Sequence, residues 1–205
     1  LHVGNEGYVK ACCVANINFG NINNQSLDEI WKGEPINELR ARFNTGELDK
    51  RCAVCLNIEA TGGKSIRQET FERFSDFDIT KPSLPIYFDV RFSNVCNYRC
   101  RTCWHGASSR WFEEAKVFNT NSGEKAIIHN IKDYENFIAN WGEALLQAEE
   151  IYFAGGEPLA TEEHYLLLNW LVKNNATKMR LRYNTNFSML SFKGHQVLKY
   201  WAVFP

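Results

Sequence analysis

The chain has no excess of charge: 23 lysines and arginines stand against 24 acids, a formal net charge of -1 over 205 residues. That balance offers no electrostatic ground for binding nucleic acid, which needs a basic surplus. Long apolar runs are missing too, and none approaches the roughly 18 residues of a membrane-spanning helix. No membrane association is expected. There is no internal repeat, no low-complexity tract and no visible signal peptide. What the chain does have is 44% hydrophobic residues, enough for a sizeable core, and seven cysteines. Their close pairing points to metal ligation in a reducing cytoplasm rather than to a secreted disulfide scaffold.

Three of the cysteines, Cys96, Cys100 and Cys103, lie in the run Phe92-Ser93-Asn94-Val95-Cys96-Asn97-Tyr98-Arg99-Cys100-Arg101-Thr102-Cys103. A cubane iron–sulfur cluster has four irons held by thiolates, so a loop offering three leaves one iron open to a substrate or cofactor. A zinc loop or three unrelated thiols are the alternatives, although zinc sites usually draw paired cysteines from two loops and close at four ligands. The alternating run Ile86-Tyr87-Phe88-Asp89-Val90-Arg91-Phe92 predicts a strand leading into this loop, and residues 108–118 a helix after it.

Downstream, Ile151-Tyr152-Phe153-Ala154-Gly155-Gly156-Glu157-Pro158 is a β-prone run that breaks into glycines, as at the exit of a buried parallel strand. Met179-Arg180-Leu181-Arg182-Tyr183-Asn184-Thr185-Asn186 alternates and then ends in small polar residues. Residues 130–148 carry a helical stripe of Ile131, Tyr134, Phe137, Ile138, Trp141, Leu145 and Leu146, and residues 162–173 another anchored by Tyr165, Leu166, Leu168 and Leu171. The order strand, helix, strand, helix, strand predicts an α/β fold with parallel strands joined by right-handed crossovers. Chemistry in such folds sits at the carboxyl ends of the strands.

The first 75 residues read as a separate small α+β module. Cys12 and Cys13 follow a hairpin strand, Gly7-Tyr8-Val9-Lys10-Ala11, and Cys52 and Cys55 form a second pair. Four thiols from two loops suit zinc or a second iron–sulfur cluster. Ser26 with Glu29 is a capping box, and Pro35 suits the first turn of a helix. Residues 76–85, rich in helix breakers, are expected as a linker to a domain at 86–205.

The spacing of Cys96, Cys100 and Cys103, with the Gly155-Gly156-Glu157 and Thr185-Asn186 segments in that order, resembles the radical S-adenosylmethionine (radical SAM) superfamily. Gly20-Asn21-Ile22, Ser26-Leu27-Asp28-Glu29-Ile30-Trp31 and the cysteine pairs resemble the SPASM and twitch modules attached to many of those enzymes, over roughly residues 4 to 60. The resemblance implies an incomplete (β/α) radical SAM barrel, its first three β/α units, behind a cysteine-rich SPASM/twitch-like module. It implies a [4Fe-4S] cluster on Cys96, Cys100 and Cys103, with S-adenosylmethionine bound by its amino and carboxylate groups to the open iron. Reductive cleavage there gives a 5′-deoxyadenosyl radical that takes a hydrogen atom from the substrate.

In that family Gly155, Gly156 and Glu157 would hold the methionine amino group, and Thr185 and Asn186 would be the terminal element of the third strand. Thr102 occupies a position near the adenine that is commonly aromatic or otherwise apolar. Cys12, Cys13, Cys52 and Cys55 would hold an auxiliary cluster, with zinc as the alternative; Cys13 is either a fourth ligand or a packed thiol. A reductant such as flavodoxin or ferredoxin and a peptide or protein substrate are the implied partners. The chain starts at Leu1, and too little follows Asn186 for a six-stranded barrel, so a fragment that binds clusters without turning over substrate is expected.

A non-catalytic iron–sulfur or zinc protein serving electron transfer, and a degenerate relative that binds peptides, are the competing readings. His105 is expected as a solvated loop histidine, Lys64 and Arg67 as the exposed face of a helix running to Phe74, and the six tryptophans as core and interface.

Overall fold

The computed structural model describes residues 1–47, 49–78 and 84–205. Its first part has three short strands, β1 (His2–Val3), β2 (Tyr8–Lys10) and β3 (Gly20–Asn21), followed by helices α1 (Leu27–Trp31), α2 (Glu34–Asn44), α3 (Ala53–Ala60) and α4 (Ile66–Arg73). After residue 84 come β4 (Tyr87–Val90), α5 (Phe112–Val117), α6 (Tyr134–Leu146), β5 (Glu150–Phe153), α7 (Glu162–Lys173) and β6 (Arg180–Tyr183). A small hairpin, β7 (Ser191–Phe192) and β8 (His195–Gln196), leads into α8 (Val197–Trp201).

Local chemistry sets several of these ends. Ser26 and Glu29 form both halves of a capping box at α1, and Ser65 with Gln68 does the same at α4. Pro35 falls in the first turn of α2, where its missing N–H leaves no bond unmade. Helix α6 begins at Tyr134, not at 130, because Asp133 caps it and the amides of Asn130 and Ile131 are spent on the Phe92 carbonyl, at 2.8 and 3.4 Å. In α7 the buried positions are His164, Tyr165, Leu167, Leu168 and Leu171. Leu166, expected as an anchor, points outward, because the helical turn that seats Tyr165, Leu168 and Leu167 against the core leaves Leu166 on the opposite side.

The six strands form one sheet in the order β3-β2-β1-β4-β5-β6. Strands β4, β5 and β6 run parallel, in register Asp89↔Tyr152 and Tyr152↔Arg182. The protein is therefore mixed α/β with a parallel sheet. Strand β1 joins this sheet parallel to β4 at His2↔Asp89, while β1, β2 and β3 pair antiparallel. The segments 1–75 and 86–205 thus share one sheet, and they share one core as well: Val3, Val9 and Ile30 belong to the same buried cluster as Phe88, Trp141 and Phe153. Of the expected linker at 76–85, residues 79–83 lie outside the described residues.

The two faces of the parallel strands differ in kind. Phe88, Val90, Ile151 and Phe153 are buried on one face, where Phe88 meets Trp141 of α6 and Phe153 meets His164 of α7. The other face carries Tyr87, Asp89 and Arg91 from β4 and its extension, Glu150 and Tyr152 from β5, and Arg180 and Arg182 from β6. Among the described residues, no helix is long and apolar enough to cross a membrane.

Candidate metal centres

The loop after β4 is held in place by a buried asparagine. Asn94 donates from Nδ2 to the carbonyls of His105 (2.7 Å) and Ala126 (3.0 Å), and its Oδ1 accepts from the Ile128 amide (2.8 Å). Its backbone carbonyl accepts from Ser109 N at 2.7 Å. Side chain and backbone of this one residue therefore tie the start of the cysteine loop to His105, to Ser109 and to the 126–128 segment. Ser108 adds a second tie, donating to the Tyr98 carbonyl at 2.7 Å, and the Trp111 indole N–H donates to Cys100 O at 3.0 Å. His105 is buried and not solvated: Ser122 N donates to its Nδ1 at 3.0 Å, and Nε2 lies 3.0 Å from Ala126 O. The loop folds back over the imidazole, and both ring nitrogens become its fasteners.

On this loop Cys96 and Cys103 are half-buried and Cys100 is exposed. Burial pushes the Cys103 thiol up, and charge on Cys100 or Cys96 would push it further. The Thr102 hydroxyl hydrogen-bonds Cys103 and opposes that shift; the Thr102 side chain is otherwise exposed. Two donors face Cys96 Sγ, Tyr98 N at 3.4 Å and Asn186 Nδ2 at 3.9 Å. N–H groups aimed at sulfur stabilise a thiolate and tune the potential of a cluster bound there. Among the described residues, no three Cys, His, Asp or Glu side chains form a group that could hold a metal ion. A cubane offers separate irons to separate thiolates, so it accepts ligands standing farther apart than a lone zinc ion does.

The other two motifs pack directly against this loop. Gly155 and Gly156 take φ of +80° and +57°. A Cβ on Gly156 would lie 2.1 Å from Val95 O, so only glycine lets the turn approach the cysteine loop so closely. The amide of Glu157 donates to the same Val95 carbonyl at 2.7 Å. The Glu157 carboxylate is fully buried, accepting from Leu159 N (2.9 Å), Thr185 Oγ1 (2.6 Å) and Asn186 N (2.7 Å). It thereby fastens the end of β5 to the end of β6. Asn186 completes the junction by donating from Nδ2 to Asn97 Oδ1 at 2.9 Å. Cys96, Gly155-Gly156-Glu157 and Thr185-Asn186 thus meet at the carboxyl ends of three adjacent parallel strands.

The amino-terminal thiols separate into two groups. Cys12, Cys52 and Cys55 line a cavity of about 350 Å³, walled mainly by apolar side chains such as Trp31, Phe71 and Phe74. Burial raises the Cys52 thiol, and charge on Cys12, Asp49 and Cys55 adds to the rise. An apolar, thiol-lined cavity suits an iron–sulfur cluster, whose charge is delocalised over iron and sulfide. Cys13 is exposed and is not part of that lining. Its thiol is raised by burial and then by Asp89 and Cys12, with Arg91 opposing, so it belongs to the surroundings of the polar sheet face.

That face holds residues which the motifs did not reveal. Asp89 is buried, with His2 Nδ1 at 2.7 Å on one oxygen and Arg91 Nε at 3.1 Å on the other. Burial pushes its pKa up, but the bonds from His2 and Arg91 outweigh that and hold it below the usual carboxylate value. Glu150 is equally buried and is bonded by Arg73, Arg180 and Arg182 at 3.0, 3.3 and 3.1 Å. Lys64 and Arg67, expected only as an exposed face, are paired with Glu72 and Glu59.

No solved structure matches this chain. Residues 1–56 match the SPASM iron–sulfur cluster-binding domain, a domain found in radical SAM enzymes, and iron–sulfur binding by this segment is what the match supports.

Proposed function

We propose that the protein carries out radical SAM chemistry on a peptide or protein substrate, with Cys96, Cys100 and Cys103 as the cluster ligands and Cys12, Cys52 and Cys55 holding an auxiliary cluster. The observation that carries this reading is the convergence of the cysteine loop, Gly155-Gly156-Glu157 and Thr185-Asn186 at one end of β4, β5 and β6. When bound, the three-thiolate cluster supplies the electron that cleaves S-adenosylmethionine and releases a radical able to abstract hydrogen from substrate. The chain's own contribution is placement. Gly155 and Gly156 bring unobstructed backbone up to the cofactor, and Glu157 acts through Thr185 and Asn186 as a positioning residue. Asn186 and the Tyr98 amide stabilise the Cys96 thiolate, and the apolar wall of the second cavity limits water around the auxiliary centre. The parallel units β4 to β6 then correspond to the opening strands of a barrel.

The test is anaerobic reconstitution with iron and sulfide, followed by electron paramagnetic resonance of the dithionite-reduced protein. A signal that shifts on adding S-adenosylmethionine, and that disappears when Cys96, Cys100 and Cys103 are all replaced by alanine, is the expected result. A cofactor-responsive signal that survives the triple substitution rules the assignment out.

A further inference from the structure

A parallel sheet covered on both sides reads as apolar on both faces, because each face must bury against a neighbouring layer. In this sheet the face away from α6 and α7 is instead built in polar rungs. Tyr87, Glu150 and Arg180 form the lowest, Asp89, Tyr152 and Arg182 the next, and Arg91 lies above them beside Gly155. Four arginines, Arg73, Arg91, Arg180 and Arg182, meet two carboxylates there, Asp89 and Glu150. The chain as a whole carries a net charge of -1, so this positive surplus is local. Cation of this kind, partly exposed and set among buried acids, is what recognition of an anion requires.

We infer that this polar face is the substrate-binding surface and that it recognises a carboxylate-bearing peptide, with Arg91 as the residue that takes the carboxylate. Arg91 is held in advance. Its Nε and Nη2 are fixed on Asp89 at 3.1 and 3.2 Å, Asp89 is fixed in turn by His2, and its aliphatic stem packs under Gly155. The Nη1 edge lies outside that pair, and the side chain is 22% exposed. An arginine whose rotamer is already paid for by Asp89 loses little entropy on binding a second carboxylate. Arg182, 41% exposed and lying over the Tyr152 ring at 5.3 Å, adds long-range attraction from the next rung. The surface stands directly beneath the turn that faces the cysteine loop. A substrate anchored there would present neighbouring atoms to the site proposed above, so the role as substrate surface rests on that proposal, while binding itself does not.

The experiment is a titration of fluorescein-labelled hexaglutamate, hexaserine and hexalysine onto the reconstituted chain, followed by fluorescence anisotropy with and without S-adenosylmethionine. Hexaglutamate should bind most tightly, with Arg91→Gln weakening it about tenfold or more. Arg91→Lys should retain part of the affinity, and Lys32→Gln, which removes an equal charge just past the end of α1, should change nothing. Should Arg91→Gln fail to fold by circular dichroism, Arg182→Gln carries the test through a smaller loss of the same sign. Equal binding of the three peptides, equal losses from Arg91→Gln and Lys32→Gln, or displacement of hexaglutamate by S-adenosylmethionine each overturns the inference. The paramagnetic resonance signal that responds to S-adenosylmethionine is followed separately. Its absence alongside Arg91-dependent peptide binding would count against the radical chemistry alone, and its presence without such binding against the surface alone.

Discussion

Asn94 and His164 are both fully buried, but the protein deals with them in opposite ways. Every polar atom of the Asn94 side chain is hydrogen-bonded, whereas His164 binds Tyr183 Oη through Nε2 at 3.0 Å and leaves Nδ1 without a partner among the described residues. Burial, and then repulsion from His195, lowers the His164 pKa to about 3. The folded state therefore keeps this imidazole neutral, while the unfolded chain takes up a proton near the ordinary value of 6.5. Stability from this group is complete above that value and is lost as the pH falls towards the folded one. Chemical denaturation of the wild-type chain should show a loss of about 2 kcal/mol between pH 6.5 and about 4.5, a window above the titration of Asp89. His164→Phe should flatten that slope; an unchanged slope would show that other groups cause it. Neither residue was legible beforehand. A histidine inside a helical stripe and an asparagine before a cysteine look like surface residues until the chain folds over them.

At the scale of elements, packing outweighs capping. Helix α6 is seated by Trp141, which is 1% exposed and sits between Phe88 and Phe137 at ring distances of 6.4 and 6.3 Å. Trp141→Ala should cost about 3–5 kcal/mol. Ser26→Ala, which removes only the cap of α1, should cost about 1 kcal/mol. Urea unfolding of the two variants decides the ranking, and a Trp141 variant no weaker than the Ser26 variant would mean that α6 is held by something else. Period and capping made α1, α6 and α7 readable from the sequence, because both act within a few residues. The hairpin β7–β8 was not readable as strands. It depends on a two-residue turn at Lys193 and Gly194, with φ of +47° and +85°, and on Tyr165 stacking against Phe192 and His195. Only the folded chain brings that ring to the turn.

The whole molecule is organised by the junction of β1 with β4. A module appended by a linker would unfold on its own; a module that donates strands to the sheet and Val3, Val9 and Ile30 to the core is coupled to the rest. Calorimetry should therefore show a single cooperative transition, and His2→Ala, which takes one support from buried Asp89, should lower its midpoint without splitting it. Two resolved transitions would refute the coupling. The same junction puts the Cys12, Cys52 and Cys55 cavity and the Cys96 loop on one framework, with Asp89 and Arg91 between the two.

Residue type and spacing alone determined the three-thiol loop, the glycine turn, the capped helices and the alternating order of strands and helices, since each depends on neighbours a few positions away. Tertiary structure decided everything that joins distant segments: Glu157 fastening Thr185 and Asn186, Gly156 against Val95, His2 on Asp89, and the division that places Cys12 on the cavity and Cys13 near the polar face. Cys12 and Cys13 are adjacent and chemically identical, so no local pattern distinguishes them. Only the path of the backbone between β2 and the loop that follows turns one thiol into the cavity and the other away from it.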